Sequence, residues 1–377
     1  MADIADRTQD FGANSWLVEE MYEQFRADPN SVSEAWREFF SDYRSATATA
    51  AAPVTAAASA SPVSSAAPTP AATPSPLASS NGSVVPQPSA PVAPVSIPEG
   101  SSLEPLRGVG AAIVTNMEKS LSVPTATSFR NVPARLLEVN RKVINDYRSL
   151  HGLSKVSFTH IIAHAIVRAI SDAVPNMRNA FAVGADGKPQ LVRNPHVNVG
   201  LAVDVDKGDG TRSLVVPVLM NADTLSFAGF LVAYDDIVRK VKANKLTIAD
   251  FQGANVSITN PGTIGTVQSV PRLMPGQGVI VGVGSIDYPA EFQGSDPANL
   301  NALGVSKVVT VTSTYDHRII QGAESGLFLK RVHELLLGSH GFYNDIFRSL
   351  EIPYQPVEWS SDTSPMNREE TMMEKQM

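Results

Sequence analysis

The sequence predicts an α/β domain over residues 101–350, a mixed sheet with covering helices, preceded by a short helical segment and a disordered Ala/Pro-rich linker. Three observations point there. Helix-period and strand-like apolar runs interleave irregularly through that region, as a mixed sheet requires. From Ser45 to Pro98 the chain runs for 54 residues without one Asp, Glu, Lys or Arg, and 11 of them are Pro. Ahead of that stretch lie two short amphipathic stripes rich in aromatic residues.

Residues 14–27 read as the first helix, with Leu17, Met21 and Phe25 at spacing four and Val18 and Tyr22 beside them. Asp28-Pro29-Asn30 ends it, because Pro disfavours the helical region for the residue before it. A second helix follows, with Ser31 and Glu34 placed as a capping box and Ala35, Trp36, Phe39 and Phe40 on one side. Two such helices cannot bury these aromatics alone, so the pair should dock on its own chain or on a partner. Beyond the linker, Val132–Leu150 and Val156–Val174 carry helical periodicity. The second has Ile161, Ile162, Ala165, Ile166, Ala169 and Ile170 on a broad apolar face. Val197–Val203 and Ser213–Leu219 read as strands. Ser226–Asn244 reads as a helix with Lys and Arg in its last turns, where they suit the dipole. Ala254–Thr259, Gly278–Gly284 and Ser306–Tyr315 are the remaining strands, before a final helix, Glu324–Leu337.

The linker composition favours an extended, polyproline-like chain and offers no apolar periodicity to offset the entropy of ordering it. Four parts result: a helical docking segment at 1–44, the linker at 45–100, the folded domain at 101–350, and a second linker at 351–377 with a helix-like Met366–Met377. The net charge of −7 argues against a general nucleic-acid binder. It divides unevenly, −6 in residues 1–44 and −4 in residues 351–377, which leaves the folded domain at +3. With no Cys, disulfides, iron–sulfur clusters, thiolate zinc sites and a cysteine nucleophile are excluded. No apolar run reaches the roughly 18 residues of a membrane span, and the acidic N-terminus lacks signal-peptide features. A cytoplasmic protein is expected, with neither nucleic acid nor membrane as partner.

Among seven histidines, His160 and His164 share a helical face. The glutamate of a zinc-protease helix is missing, since Ile161 follows His160, so a core or interface role is expected and no metal is predicted. Gly108-Val109-Gly110 and Gly282-Val283-Gly284 both lack the third glycine of the dinucleotide fingerprint. Neither a P-loop nor a Gly-x-Ser-x-Gly elbow occurs. His317 stands apart, in Thr314-Tyr315-Asp316-His317-Arg318-Ile319-Ile320-Gln321-Gly322-Ala323, between a β-rich run and a helix. Side chains alternate along an extended segment, so Asp316 and Arg318 should point away from His317 and pair with each other. That would hold the backbone and leave the imidazole facing a cavity.

Asp316-His317-Arg318 with Gly322-Ala323 resembles the active-site signature of the dihydrolipoyl acyltransferases of 2-oxo acid dehydrogenase complexes, whose fold is chloramphenicol-acetyltransferase-like. The likeness extends over roughly Leu103 to Phe347. Ser213-Leu214-Val215-Val216-Pro217-Val218 is similar to a strand of that family. Lys245–Phe251 through Val256-Ser257-Ile258-Thr259-Asn260-Pro261-Gly262 is similar to its helix-to-strand stretch. A second likeness lies at the N-terminus, where Asn14-Ser15-Trp16-Leu17, Asp28-Pro29-Asn30-Ser31-Val32 and Trp36-Arg37 resemble the start of thiamine-dependent 2-oxoglutarate dehydrogenases. Together they resemble the N-terminal portion of the actinobacterial multifunctional 2-oxoglutarate dehydrogenases/decarboxylases, in which the acyltransferase precedes a thiamine module.

The resemblance implies a succinyl transfer between the thiols of dihydrolipoamide and coenzyme A, with acetyl transfer or a non-catalytic assembly core as the alternatives. It makes His317 the general base and Thr259 the donor to the oxyanion, with Asp316, Arg318 and Gly322 as structural support. The family usually has Asp four residues after the histidine. This chain has Gln321 there, which can hydrogen-bond but cannot carry a charge or a proton. Nothing resembles a lipoyl domain, and Lys207 in Asp206-Lys207-Gly208 lies inside the acyltransferase match rather than in a lipoylation context. The implied partners are therefore a lipoyl-bearing acyltransferase subunit, dihydrolipoyl dehydrogenase, and further copies of the chain, with a trimeric core as the family pattern. Thiamine diphosphate and Mg would belong to the module beyond residue 377.

Overall fold

The computed structural model describes residues 11, 14–43, 98–107, 109–206 and 212–359. Two compact units divide the chain: Ser45–Leu106, and a larger one that joins Met1–Arg44 to Arg107–Met377. In the smaller unit, residues 98–106 are exposed and hold one turn, closed by the Ser101 N–H on the Pro98 carbonyl. The rest of the expected linker, Lys207 and Met366–Met377 lie outside the described residues.

The larger unit begins with α1 (Ser15–Ala27) and α2 (Glu34–Asp42). The break falls at Asp28-Pro29 as predicted, but the expected capping box does not form. Ser33 takes the N-cap position, and Ser31 turns back to donate its hydroxyl to the Gln24 and Asp28 carbonyls. Ser31 closes α1 instead of opening α2. The pair docks on its own chain, with Val18, Val32, Trp36 and Phe40 buried in the common core.

Next come α3 (Val109–Leu121) and β1 (Thr125–Pro133), neither of which the periodicity predicts. β1 is an edge strand of mostly polar residues, paired along its length with β10 (Val308–Asp316). It takes Val132 from the expected helix, because Pro133 keeps Val132 extended, and α4 runs only over Arg135–Leu150. In α5 (Phe158–Asp172) ten of fifteen residues are buried, and Ser157 caps it by accepting the His160 N–H at 3.2 Å. A hairpin, β2 (Ala180–Val183) and β3 (Pro189–Val192), follows.

Each of the two long strands expected next is split. The first becomes β4 (Val199–Leu201) and β5 (Val203–Asp206), the second β6 (Arg212–Val215) and β7 (Val218–Leu219). Pro217 has no N–H for a ladder, so pairing stops at Val215 and resumes at Val218. β4 and β7 stay in the main sheet, while β5 and β6 leave it as a separate antiparallel ribbon. Then come α6 (Phe227–Lys242), capped by Ser226, β8 (Val256–Thr259), β9 (Val279–Asp287), α7 (Pro297–Ala302), α8 (Gly322–Leu336) and α9 (Phe342–Ser349).

The main sheet has the order β1-β10-β9-β8-β4-β7. β8 pairs parallel with β4 and β9, and the other pairs are antiparallel, so the sheet is mixed as predicted. Val279, Val281, Val309 and Val311 are wholly buried in the core with Ile161, Ile166 and Phe328 of α5 and α8. Burying each such side chain contributes roughly 1.5–3 kcal/mol. That packing fixes the ends of β8 and β10, where the candidate residues sit.

Candidate active site

β10 ends at Asp316, which is 2% exposed. Arg318 grips it with Nε 2.9 and 3.2 Å from the two carboxylate oxygens and Nη2 at 2.6 Å, while the Arg318 N–H donates to Oδ1 at 3.0 Å. The guanidinium also lies 3.7 Å over the Phe181 ring. The predicted pairing is present, and its bidentate form fixes the turn more firmly than a single contact would.

His317, between them, is exposed. Its N–H donates to the Pro124 carbonyl at 2.9 Å, and its ring meets the Tyr315 ring edge-on at 5.6 Å. Its Nδ1 lies 3.1 Å from the Ile320 carbonyl. A carbonyl can only accept, so Nδ1 carries a proton, and in the neutral ring the lone pair is on Nε2. Sequence reasoning missed this role of Ile320, since a backbone oxygen leaves no mark on residue type.

Gln321 is exposed at the N-cap of α8, and its N–H donates to Glu324 Oε2 at 2.7 Å. Glu324 Oε1 accepts from Asn176 Nδ2 at 2.9 Å. The carboxylate of this turn is therefore Glu324, and Asp316, committed to Arg318, does not stand in for one at position 321. A Cβ on Gly322 would meet only the Tyr315 hydroxyl, at 3.6 Å, so Gly322 starts α8 without being needed for room.

Thr259 ends β8, half-buried, and lines a cavity of about 280 Å³ with Asp204, Leu214, Asn260 and Ile264. Asn260 Nδ2 donates to Thr159 Oγ1 at 2.8 Å, tying this end of β8 to α5. Gly262 presses on β9 so closely that a Cβ would fall 2.2 Å from the Gly284 carbonyl carbon. Only glycine allows that approach.

The two catalytic candidates do not meet. Thr259 is level with Gly282 on β9, and Gly282 is level with Thr312 on β10. His317 lies five residues further along. At about 3.3 Å per residue that is roughly 16 Å along the strands, with two spacings of about 4.8 Å across. Within one chain, His317 lies past the end of β10 while Thr259 is level with the middle of that strand, too far apart to act on one group.

His160 and His164 are packed into the fold. His160 Nδ1 accepts the Ser157 N–H at 3.2 Å, and its Nε2 lies 3.5 Å from Asp235; burial lowers its pKa despite that carboxylate. His164 is buried among Phe227, Phe230 and Phe342, and burial, helped by Arg168, pushes its pKa down to about 4. Among the described residues no group of three or more His, Cys, Asp or Glu could hold a metal ion.

Residues 98–340 match the family described as 2-oxoacid dehydrogenases acyltransferase (catalytic domain). The chain belongs to that family. Residues 10–47 of this acyltransferase also match the 2-oxoglutarate dehydrogenase N-terminus. It is 48% identical over 374 residues to the multifunctional 2-oxoglutarate metabolism enzyme of Mycolicibacterium vanbaalenii, which covers 93% of this chain and 30% of that enzyme. A relative of the same description from Mycobacterium sp. (strain JLS) is 47% identical, over 93% of this chain and 31% of its own length. The acyltransferase thus spans about a third of the length of these relatives. Its fold is similar to the Azotobacter vinelandii dihydrolipoamide acetyltransferase, with TM-score 0.54, 24% identity, and coverage of 69% of this chain and 99% of that one. A probable dihydrolipoamide acetyltransferase from Listeria monocytogenes gives TM-score 0.51 at 23% identity, covering 68% and 99%. Among the described residues no helix is long and apolar enough to cross a membrane.

Proposed function

We propose that this acyltransferase moves a succinyl group from S-succinyl-dihydrolipoamide to coenzyme A, as the dihydrolipoyllysine-residue succinyltransferase component of a 2-oxoglutarate dehydrogenase complex of the tricarboxylic acid cycle. The observation that carries the reading is His317, exposed at a braced turn with its Nε2 lone pair open and its Nδ1 proton engaged by Ile320. The chain has no Cys, so both sulfurs arrive with the substrates. The succinyl group is favoured by the 2-oxoglutarate dehydrogenase-type segment on the same chain and by the description of the multifunctional relatives.

A free thiol of pKa near 8.5 is only a few per cent ionised at neutral pH. His317 Nε2 takes the proton of the coenzyme A thiol as its sulfur attacks the thioester carbonyl. The tetrahedral intermediate places negative charge on oxygen, and the Thr259 hydroxyl donates to it; such a donor is worth about 3 kcal/mol of barrier. Collapse breaks the bond to the dihydrolipoamide sulfur, which recovers the proton from His317. Because the two residues stand about five residues apart along the strands and two strands apart across them, the site takes His317 from one copy and Thr259 from a neighbour, in a trimeric arrangement. Ile264, Val267, Val270 and Leu214, all more than half exposed around the Thr259 end, suit a face that a second copy covers.

The lipoyl arm then comes from a separate acyltransferase subunit, reoxidised by dihydrolipoyl dehydrogenase, and thiamine diphosphate with Mg acts on a different module. The test is thioester formation from coenzyme A and S-succinyl-dihydrolipoamide. Turnover with succinyl in preference to acetyl supports the reading. Preference for acetyl corrects the substrate, and coenzyme A binding without transfer makes the domain an assembly core.

A further inference from the structure

The N-terminal helices and the Thr259 cavity share one wall. In the β5–β6 ribbon Val203 faces Val215, Asp204 faces Leu214 and Val205 faces Ser213. Alternation puts Asp204 and Leu214 on one face and Val205 and Val215 on the other. The first face lines the Thr259 cavity. The second lines a separate cavity of about 420 Å³, whose opposite side is Leu17, Met21 and Trp36 of α1 and α2.

Among the described residues the ribbon pairs with no third strand. A lone two-stranded ribbon is marginal, so its position depends on what packs against its faces. The N-terminal segment is fastened at two points near it. Asn14 Nδ2 donates to the Val216 carbonyl and Asn14 Oδ1 accepts the Val216 N–H, each at 2.9 Å, one residue after β6 ends. Trp36 Nε1 donates to the Leu246 carbonyl at 3.2 Å, beyond α6.

We propose that the N-terminal helical pair is a positioning element for the Thr259 cavity, acting through the β5–β6 ribbon. It sets where Asp204 and Leu214 stand and so tunes the binding of the substrate seated against Thr259, without touching that substrate. His317, past the end of β10 and two strands away, is beyond its reach. The inference rests on Thr259 belonging to the transfer site.

The test is steady-state kinetics of Asn14→Ala, Val215→Ala and Trp36→Phe, varying coenzyme A and S-succinyl-dihydrolipoamide separately. All three should raise the KM of the same one substrate by about fivefold or more, leaving kcat within about twofold and the other KM unchanged. A merely structural role would lower the active fraction, and so kcat, with both KM values unmoved. That result overturns the proposal, as do equal shifts in both KM values or no shift in either. Trp36→Phe keeps an aromatic ring in the cluster and decides the matter alone should Asn14→Ala fail to fold. Wild-type protein without transfer would defeat the functional reading itself; wild-type transfer with unaltered variants defeats only this inference.

Discussion

At the β10 end of the sheet, a buried carboxylate, a bidentate arginine and two backbone carbonyls hold the His317 turn in a single geometry. At the β8 end, Thr259 faces a cavity walled partly by a ribbon that, among the described residues, belongs to no larger sheet. The first end suits proton transfer, which needs a fixed tautomer and direction. The second suits recognition, where a wall held by separate elements can be adjusted. A buried ion pair braces one end, while side-chain-to-backbone hydrogen bonds and apolar packing hold the wall of the other.

The largest expected effect is at the rigid end. His317→Ala should lower kcat by about 10³-fold, within the range for loss of a positioned base, with an unchanged circular-dichroism spectrum. Near-normal turnover would remove His317 from the mechanism. Arg318→Ala leaves Asp316 buried without its partner, and chemical denaturation should show a loss of about 3–5 kcal/mol. Unaltered stability would mean that the pair does not brace the turn. At the recognition end, Thr259→Val should cost about 10²-fold in kcat, near 3 kcal/mol of barrier, with little change in melting temperature.

The Asp316–Arg318 pairing at the His317 turn was legible because it is local: the three residues are consecutive and the two flanking charges are opposite, although the segment is a turn and not the extended run that alternation assumes. The strand break at Pro217 follows from a missing N–H in the same way. The separation of His317 from Thr259 was not legible, since it depends on the register of β8, β9 and β10, set by core packing across more than fifty residues. The edge strand β1 escaped because Thr-Ala-Thr-Ser-Phe-Arg-Asn carries no apolar alternation. The docking of Trp36 escaped too, because an amphipathic stripe shows that a face is buried but not on what.

A buried histidine away from both regions gives a further test. His164 has a folded pKa near 4 against about 6.5 when unfolded. As pH falls through 6.5 the unfolded chain takes the proton first, so stability present above pH 6.5 is lost down to about pH 4, by at most about 3 kcal/mol. His164→Leu should flatten that part of the stability profile in pH-dependent denaturation while leaving the pH dependence of kcat intact. A profile that stays as steep would place the acid sensitivity elsewhere. The smallest effect belongs to Gln321→Asp. Exposed at a helix N-cap, it should change kcat by no more than about threefold, or 0.7 kcal/mol. A large gain in rate would show that the turn lacks a needed carboxylate.

The central claim is that one copy supplies His317 and another Thr259. Mixing His317→Ala with Thr259→Val, after dissociation and reassembly, tests it most directly. In random mixed oligomers about one site in four regains both side chains, so activity should return to about a quarter of wild type. No recovery, with mixed oligomers confirmed by mass, would place the whole reaction within a single chain and contradict the assignment of the two side chains to different copies.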